Sequence, residues 1–402
     1  MTAIPPSFLR FVPPMGIYQT LYAFLESFGT YMGEPGTHPW SQGFPRTDQL
    51  PGGPPMPESV TLTATDFMYP KAYGSPALRD AIADYYNRYY GCSLDAENVM
   101  VFAGGRPALV ATLMFLQPDT QVRIASTEYT PYYDMLRLLE KPYTLVESNV
   151  ANGFYPSTED YVGPAGEQSL TLLSNPCNPT GITRSGADLK ALVHAATKGN
   201  KGLLVDEAYE MFHAPPVSAL EFVEDIDNSN LFVAGAATKG LQAPGIRVGW
   251  MIASKSNIET LSNFSSFGMG GVSHPSQLFA LALLEKDRVD HARQVVPEYY
   301  GRQRARYGAA FEELGLKLYS GEGGFYHWCQ LPDGLTCEEL NRRLFQDGAA
   351  ILKGTDCDMA RLGDASPLRD FVRFSFGPLA EESFDEDIAI LKKHLQGSPQ
   401  GV

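Results

Sequence analysis

From Val99 to about Ser254, short runs rich in β-branched and apolar residues alternate with stretches of helical period. The strand candidates are Val99–Ala103, Gln121–Ala125, Thr144–Glu147, Ser169–Ser174, Gly202–Val205, Asn230–Gly235 and Gly249–Ala253. Parallel neighbours need a long crossover between them, and a helix supplies it, so this alternation predicts a mainly parallel sheet flanked by helices. Past about Asp290 the pattern changes. A long charged helix over Val296–Leu314, strands near Phe325–Gln330 and Phe371–Phe376, and a final helix over Phe384–Gln396 predict a smaller α+β domain. The first 60 residues are rich in Pro, Gly and aromatics and keep no period for long, which predicts an extended arm wrapped over another surface. Order is expected to begin at Ser75, an N-cap with Pro76 in the first helical position and Gly91 as the stop. The expected fold class is α/β in three segments: an N-terminal arm belonging to the small domain over 1–55, a large domain over 56–290 and a C-terminal small domain over 291–402.

The chain has 402 residues, a length that suggests two or three domains, with 31 Lys+Arg against 46 Asp+Glu and a net charge of −15. That balance argues against a protein that coats nucleic acid. Five cysteines, none closely paired, fit a reducing compartment and neither a zinc site nor a redox dithiol. Ala108–Leu116, the longest mainly apolar stretch, is far short of the roughly 18 residues of a membrane span. No charged-then-apolar leader opens the chain, so a cytoplasmic protein is expected. The seven histidines show no metal-ligand spacing, and no metal is implied.

Open α/β sheets bind ligands just past the carboxyl ends of their strands, and the chemistry-bearing residues of this chain fall there. After Leu170–Leu173 comes Ser174-Asn175-Pro176-Cys177-Asn178-Pro179-Thr180-Gly181, and after Leu203–Val205 comes Asp206-Glu207-Ala208-Tyr209. Thr238-Lys239 follows Phe232–Ala234, Arg247 lies eight residues beyond Lys239, and Arg373 sits in a late strand. Gly104-Gly105-Arg106, between a strand and an apolar helix, could offer backbone N–H groups to an anion.

This ordered set resembles the fold-type I pyridoxal-phosphate enzymes, the aspartate aminotransferase superfamily, in its class I/II aminotransferase branch. The resemblance runs from about Ser41 to the final helix and rests on NPxNPTG, DExY, a hydroxyl residue followed by Lys, GxRxG and the late arginine. It implies that Lys239 is the Schiff-base lysine, a role that needs an amine of lowered pKa. It makes Asp206 the partner of the cofactor's protonated pyridine nitrogen, and Tyr209 and Asn178 the pair at its 3-hydroxyl. Arg247, Thr238 and the Gly104-Gly105-Arg106 turn would hold its phosphate. Tyr129 would stack on its ring, with Tyr132 and Tyr133 as rivals in register. Arg373 would bind the substrate carboxylate, approached also by Gly43 in Ser41-Gln42-Gly43-Phe44-Pro45, where Arg46 stands in place of the usual acidic residue. Tyr69, with Tyr73 as a rival, would reach the phosphate of a neighbouring subunit, giving a homodimer with a shared active site.

One departure stands out. The family often carries serine three residues before the lysine, and this chain has Ala236 there. Arg106, where a small or amide residue is usual, is expected to supply the lost phosphate contact. The resemblance thus implies an aminotransferase that moves the amino group of an L-amino acid to a 2-oxo acid by a ping-pong mechanism through a Lys239 aldimine. A lyase, cyclase or oxidase on the same frame is the alternative reading. A cofactor-sensing regulator is a distant one, and the acidic balance argues against the DNA-binding segment it would carry.

Overall fold

The computed structural model describes residues 8–9 and 11–396; the outermost parts of the expected first and last segments fall outside the described residues. Seven strands build the large sheet: β1 (Val99–Phe102), β2 (Gln121–Ala125), β3 (Tyr143–Val146), β4 (Ser169–Ser174), β5 (Lys201–Asp206), β6 (Leu231–Ala236) and β7 (Gly249–Ile252). Their order is β1-β7-β6-β5-β4-β2-β3. From β6 to β3 all neighbours are parallel, while β7 runs against both β1 and β6. Every residue of β4 and β5 is buried. Helices cover both faces of such a sheet, so its central strands read as apolar runs without alternation.

The helices before the long α9 are α1 (Ile17–Phe28), α2 (Pro76–Tyr90), α3 (Gly105–Phe115), α4 (Pro131–Leu138), α5 (Thr158–Val162), α6 (Gly186–Ala196), α7 (Lys255–Phe264) and α8 (His274–Leu283). Helix α2 begins and ends where the sequence indicates. Ser75 Oγ accepts from the Leu78 amide at 3.3 Å, and Gly91 closes the helix at φ 67°. The long α9 (Lys286–Glu313) leads into the second sheet, made of β8 (Lys317–Leu318), β9 (Tyr326–Gln330), β10 (Leu352–Lys353) and β11 (Phe371–Ser375) with α10 (Cys337–Leu344) and α11 (Phe384–Gln396). Its order is β10-β11-β9-β8, antiparallel throughout. Among the described residues no helix is long and apolar enough to cross a membrane.

Two expectations are corrected. The N-terminal arm is not extended throughout: Ile17–Phe28 is helical, stopped by Gly29 at φ 80°. Its buried residues are Thr20 and Phe24, and the Phe24 ring meets Phe345 edge-on at 5.5 Å. Burying that one phenyl contributes roughly 2–3 kcal/mol, and so sparse a face leaves little period to read. The long helix starts ten residues before Val296, at Lys286, and carries Pro297 inside it. It therefore runs across the boundary expected at residue 290. An interior proline costs roughly 3 kcal/mol in an isolated helix. Here Val289, Ala292, Val296, Tyr299, Gln303, Tyr307 and Phe311 continue one buried face through it, so tertiary packing overrides the break.

Two residues of the remaining N-terminal segment, His38 and Trp40, are tied to one carboxylate. Buried Asp387 on α11 is bonded by His38 Nδ1 at 2.8 Å, Trp40 Nε1 at 3.0 Å, Tyr307 Oη at 2.7 Å and Ser383 Oγ at 2.8 Å. A carboxylate taken out of water needs such partners. The clasp delivers Ser41 and Gly43 to the edge of the site.

Candidate active site

Parallel register brings the chemistry together. Ser174 of β4 lies opposite Asp206 of β5, and Asp206 lies opposite Ala234 of β6. The loops that leave these strand ends therefore enclose one space, a cavity of about 360 Å³. Of the residues singled out in the sequence, Gly105, Arg106, Tyr129, Asn178, Asp206, Tyr209, Thr238, Lys239 and Arg247 line it, together with Ala236.

At the phosphate end expected from the sequence, α3 starts at Gly105, and Gly104 before it has φ 102°. A Cβ at Gly104 would lie 2.4 Å from Arg247 Nη2, so glycine lets the guanidinium lie against the helix start. Arg247 itself is left-handed at φ 55° and donates through Nη1 to the Pro244 carbonyl at 2.8 Å. Arg106 turns toward the aromatic wall, donating through Nε to Tyr129 Oη at 2.8 Å. Tyr129 is thus the ring at the cavity. Tyr132 is wholly buried behind it, and Tyr133 lies under the Arg361 guanidinium at 4.5 Å.

At the opposite end the Asp206 carboxyl is buried. Its Oδ2 accepts from Tyr132 Oη at 3.1 Å and its Oδ1 from the Ala208 amide at 3.1 Å. Burial raises its pKa, and those two donors oppose the rise. Lys239 lies between the two ends and donates through Nζ to the Gly43 carbonyl. Its pKa is lowered to about 7 by burial first and then by Arg106 and Arg373, with Asp206 pulling the other way. A lysine so placed is partly neutral near pH 7 and can act as nucleophile or base.

Arg373 is buried on β11. Its Nη1 donates to Asn178 Oδ1 at 2.9 Å and its Nη2 to the Ser41 carbonyl at 2.7 Å. Its Nε is buried and has no partner among the described residues. The guanidinium lies 4.2 Å from the ring centre of Tyr326, whose hydroxyl is bonded to that of Tyr209. Tyr69 is 94% exposed, and Tyr73 lies under Arg79 at 5.0 Å. Neither lines the cavity.

Sequence reasoning missed Tyr326 and the hydrogen bond between Ser174 and Glu128, and it gave Tyr132 only as a rival for the ring stack, without its bond to Asp206. Ser174 Oγ donates to Glu128 Oε1 at 2.6 Å and accepts from the Asn178 amide at 3.0 Å. Burial pushes the Glu128 carboxyl up to about 8. The signal available for Ser174 was its place directly before the asparagine motif.

The start of α3 beside Arg247, a lysine of lowered pKa and a buried carboxyl thus meet around one cavity, with Arg373 close behind it. Residues 40–385 match the family described as Aminotransferase class I and II, and the chain belongs to that family. The aspartate aminotransferase of Streptomyces avermitilis is 28% identical over 341 residues, 81% of this chain and 81% of its own length. That of Pyrococcus horikoshii is 23% identical over 332 residues, 81% of this chain and 82% of its own. A tetra mutant of the Thermus thermophilus aspartate aminotransferase, complexed with tryptophan, superposes with a TM-score of 0.79 at 22% identity. It covers 95% of this chain and 97% of that one, which shows the common fold.

Proposed function

We propose that this aminotransferase uses pyridoxal 5'-phosphate to move the amino group of an L-amino acid to a 2-oxo acid in two half-reactions, with ping-pong kinetics. The observation that carries the reading is Lys239, its pKa lowered to about 7 in a cavity with a buried carboxyl and arginines around it. The donor set fits the group. The start of α3 with Arg247 suits a phosphate, and buried Asp206 suits a basic ring nitrogen. When bound, the cofactor supplies an aldehyde that condenses with amines and a ring that takes up the electrons left when an α-proton departs.

The chain's own residues do the rest. Asp206 holds the ring proton, and Tyr129 covers one face of the ring. Gly104, Gly105, Thr238 and Arg247 hold the phosphate. Arg106 supplements them where Ala236 leaves a gap. Asn178 and Tyr209 orient the ring oxygen. Arg373, beside Gly43, takes the substrate carboxylate in a two-point match. Lys239 Nζ would be the base that takes up the α-proton and holds it for return. The exposed run Phe67, Met68 and Tyr69 supports a homodimer in which a second copy covers this face and Tyr69 enters its site.

The test is the absorption of the cofactor-loaded protein during addition of single amino acids. L-aspartate comes first, since relatives are named for it. The expected result is loss of the cofactor band with one equivalent of 2-oxo acid formed, and recovery on adding 2-oxoglutarate or pyruvate. Release of ammonia with no recoverable amino group on the cofactor would overturn the reading.

A further inference from the structure

Tyr326 lies between Arg373, whose guanidinium packs on its ring, and Tyr209, whose hydroxyl bonds to its own. On the small sheet, Arg373 of β11 pairs with Trp328 of β9, and Tyr326 lies two residues from Trp328. Residues two apart on a strand share a face, and diagonal cross-strand neighbours lie within reach of long side chains, so the register itself places the guanidinium over the Tyr326 ring. The Tyr326 hydroxyl passes beyond the sheet to the Tyr209 hydroxyl. It also fills the space beside Gly43, where a Cβ would lie 2.5 Å from it. Tyr326 is fully buried, and both of its functional contacts come from residues with proposed roles in the reaction.

Between two phenols only one proton lies in the shared bond. If Tyr209 donated to Tyr326, its proton would be spent and Tyr209 could offer the cavity an acceptor alone. If Tyr326 donates, the Tyr209 proton is left to point into the cavity. Burial raises both phenols, and Arg373 opposes the rise. The Arg373 guanidinium lies against the Tyr326 ring itself, 4.2 Å from its centre. A cation held against a phenol makes that phenol the better proton donor, so this contact favours Tyr326 as the donor of the shared bond.

We infer that Tyr326 is a positioning residue for the proposed reaction: its hydroxyl donates to Tyr209, keeping the Tyr209 proton aimed at the ring oxygen, while its ring fixes the plane of Arg373. One side chain thus links substrate-carboxylate binding to the hydrogen bond that tunes the cofactor. The inference rests on the pyridoxal-phosphate reading above.

The test compares loaded wild-type protein with Tyr326→Phe, Tyr209→Phe, the double variant and Tyr326→Leu. Its readouts are the pH midpoint of the bound cofactor's absorption change and the separate values of KM and kcat. Tyr326→Phe should shift the midpoint in the same direction as Tyr209→Phe, by about half a pH unit or more. The double variant should shift little further than Tyr209→Phe alone, because Tyr326 acts through Tyr209. With its ring kept, Tyr326→Phe should lower kcat with KM within about twofold of wild type, whereas Tyr326→Leu should also raise KM about tenfold. Tyr326→Leu reads the same midpoint should the Phe variant not fold. An unmoved midpoint in a loaded Tyr326 variant, or strictly additive shifts in the double variant, overturns the inference alone. Failure of wild-type protein to take up pyridoxal phosphate overturns the functional reading and this inference with it.

Discussion

The Arg373 guanidinium donates to the side-chain oxygen of Asn178 at 2.9 Å, joining a strand of the small sheet to the loop that leaves β4 of the large one. The contact occupies the acceptor of the amide and leaves its NH2 group free to turn toward the cavity. Because the same arginine is proposed to bind the substrate carboxylate, its orientation is set before substrate arrives. Asn178→Ala should therefore raise KM for the amino acid about tenfold, the loss of one charge-assisted hydrogen bond. Asn178→Asp should raise it further, since a fixed carboxylate competes for Arg373. Steady-state kinetics on both variants checks the order, and a lower KM in Asn178→Asp than in Asn178→Ala would contradict it.

Gly104→Ala tests the cradle. A non-glycine residue at φ 102° is strained, and the new Cβ would lie 2.4 Å from Arg247 Nη2. The obstructing atom is the far end of a flexible side chain, so the fold should survive while Arg247 moves away. The expected outcome is pyridoxal-phosphate affinity reduced about tenfold or more, with affinity for unphosphorylated pyridoxal unchanged. Fluorescence titration of the cofactor-free protein measures both, and equal losses for the two compounds would remove Arg247 from the phosphate site.

Arg106 and Ala236 form a second pair for the same titration. Both line the cavity, and the Arg106 guanidinium is held at the Tyr129 hydroxyl. Arg106→Ala should weaken pyridoxal-phosphate binding about tenfold, and Ala236→Ser introduced alongside should recover part of the loss. Unchanged affinity in Arg106→Ala would sink the compensation idea.

Much of this architecture is readable without coordinates, for physical reasons that vary along the chain. Ser169–Ser174 is a strand with the bounds expected from its sequence, because central parallel strands are buried on both faces and advertise it, while Gln121–Ala125, also with its expected bounds, alternates half-buried and buried residues. Asp206, Lys239 and Asn178 were legible because they stand at the ends of such strands, in ordered motifs. Helix α1 was not legible, since two buried residues carry little period amid Pro and Gly. The two-residue strands Lys317–Leu318 and Leu352–Lys353 exist only through their pairing partners. Tyr326 was invisible for another reason: an aromatic in a late strand reads as core, and its link to Tyr209 spans 117 positions.

Lys239 makes stability depend on pH in a defined direction. Its pKa is lowered from 10.5 to about 7 in the folded cofactor-free protein. The unfolded chain then binds more protons between those values, so the folded state carries a cost that is full below about pH 7 and fades as pH rises toward 10.5. Lys239→Met removes the charge and keeps an apolar stem. Cofactor-free Lys239→Met should accordingly unfold at higher denaturant than wild type at pH 7, and the gap should close toward pH 10. A gap that widens with pH would contradict the placement of the amine.

Tyr69 is exposed in the single chain, beside exposed Phe67 and Met68, and the proposed dimer gives it a site in the partner. Lys239→Ala and Tyr69→Ala should each be nearly inactive as pure dimers. In a hybrid, the subunit that keeps Lys239 receives an intact Tyr69 from its neighbour, so one of the two sites is complete. Refolding or subunit exchange of an equal mixture should therefore restore about a quarter of wild-type activity, the share of complete sites under random pairing. If Tyr69 served its own subunit, every site in the hybrid would lack one of the two residues and the mixture would stay as inactive as its components. Replacing Tyr69→Ala by Tyr73→Ala in the same experiment decides between the two tyrosines, because only the residue that crosses the interface can be complemented in this way.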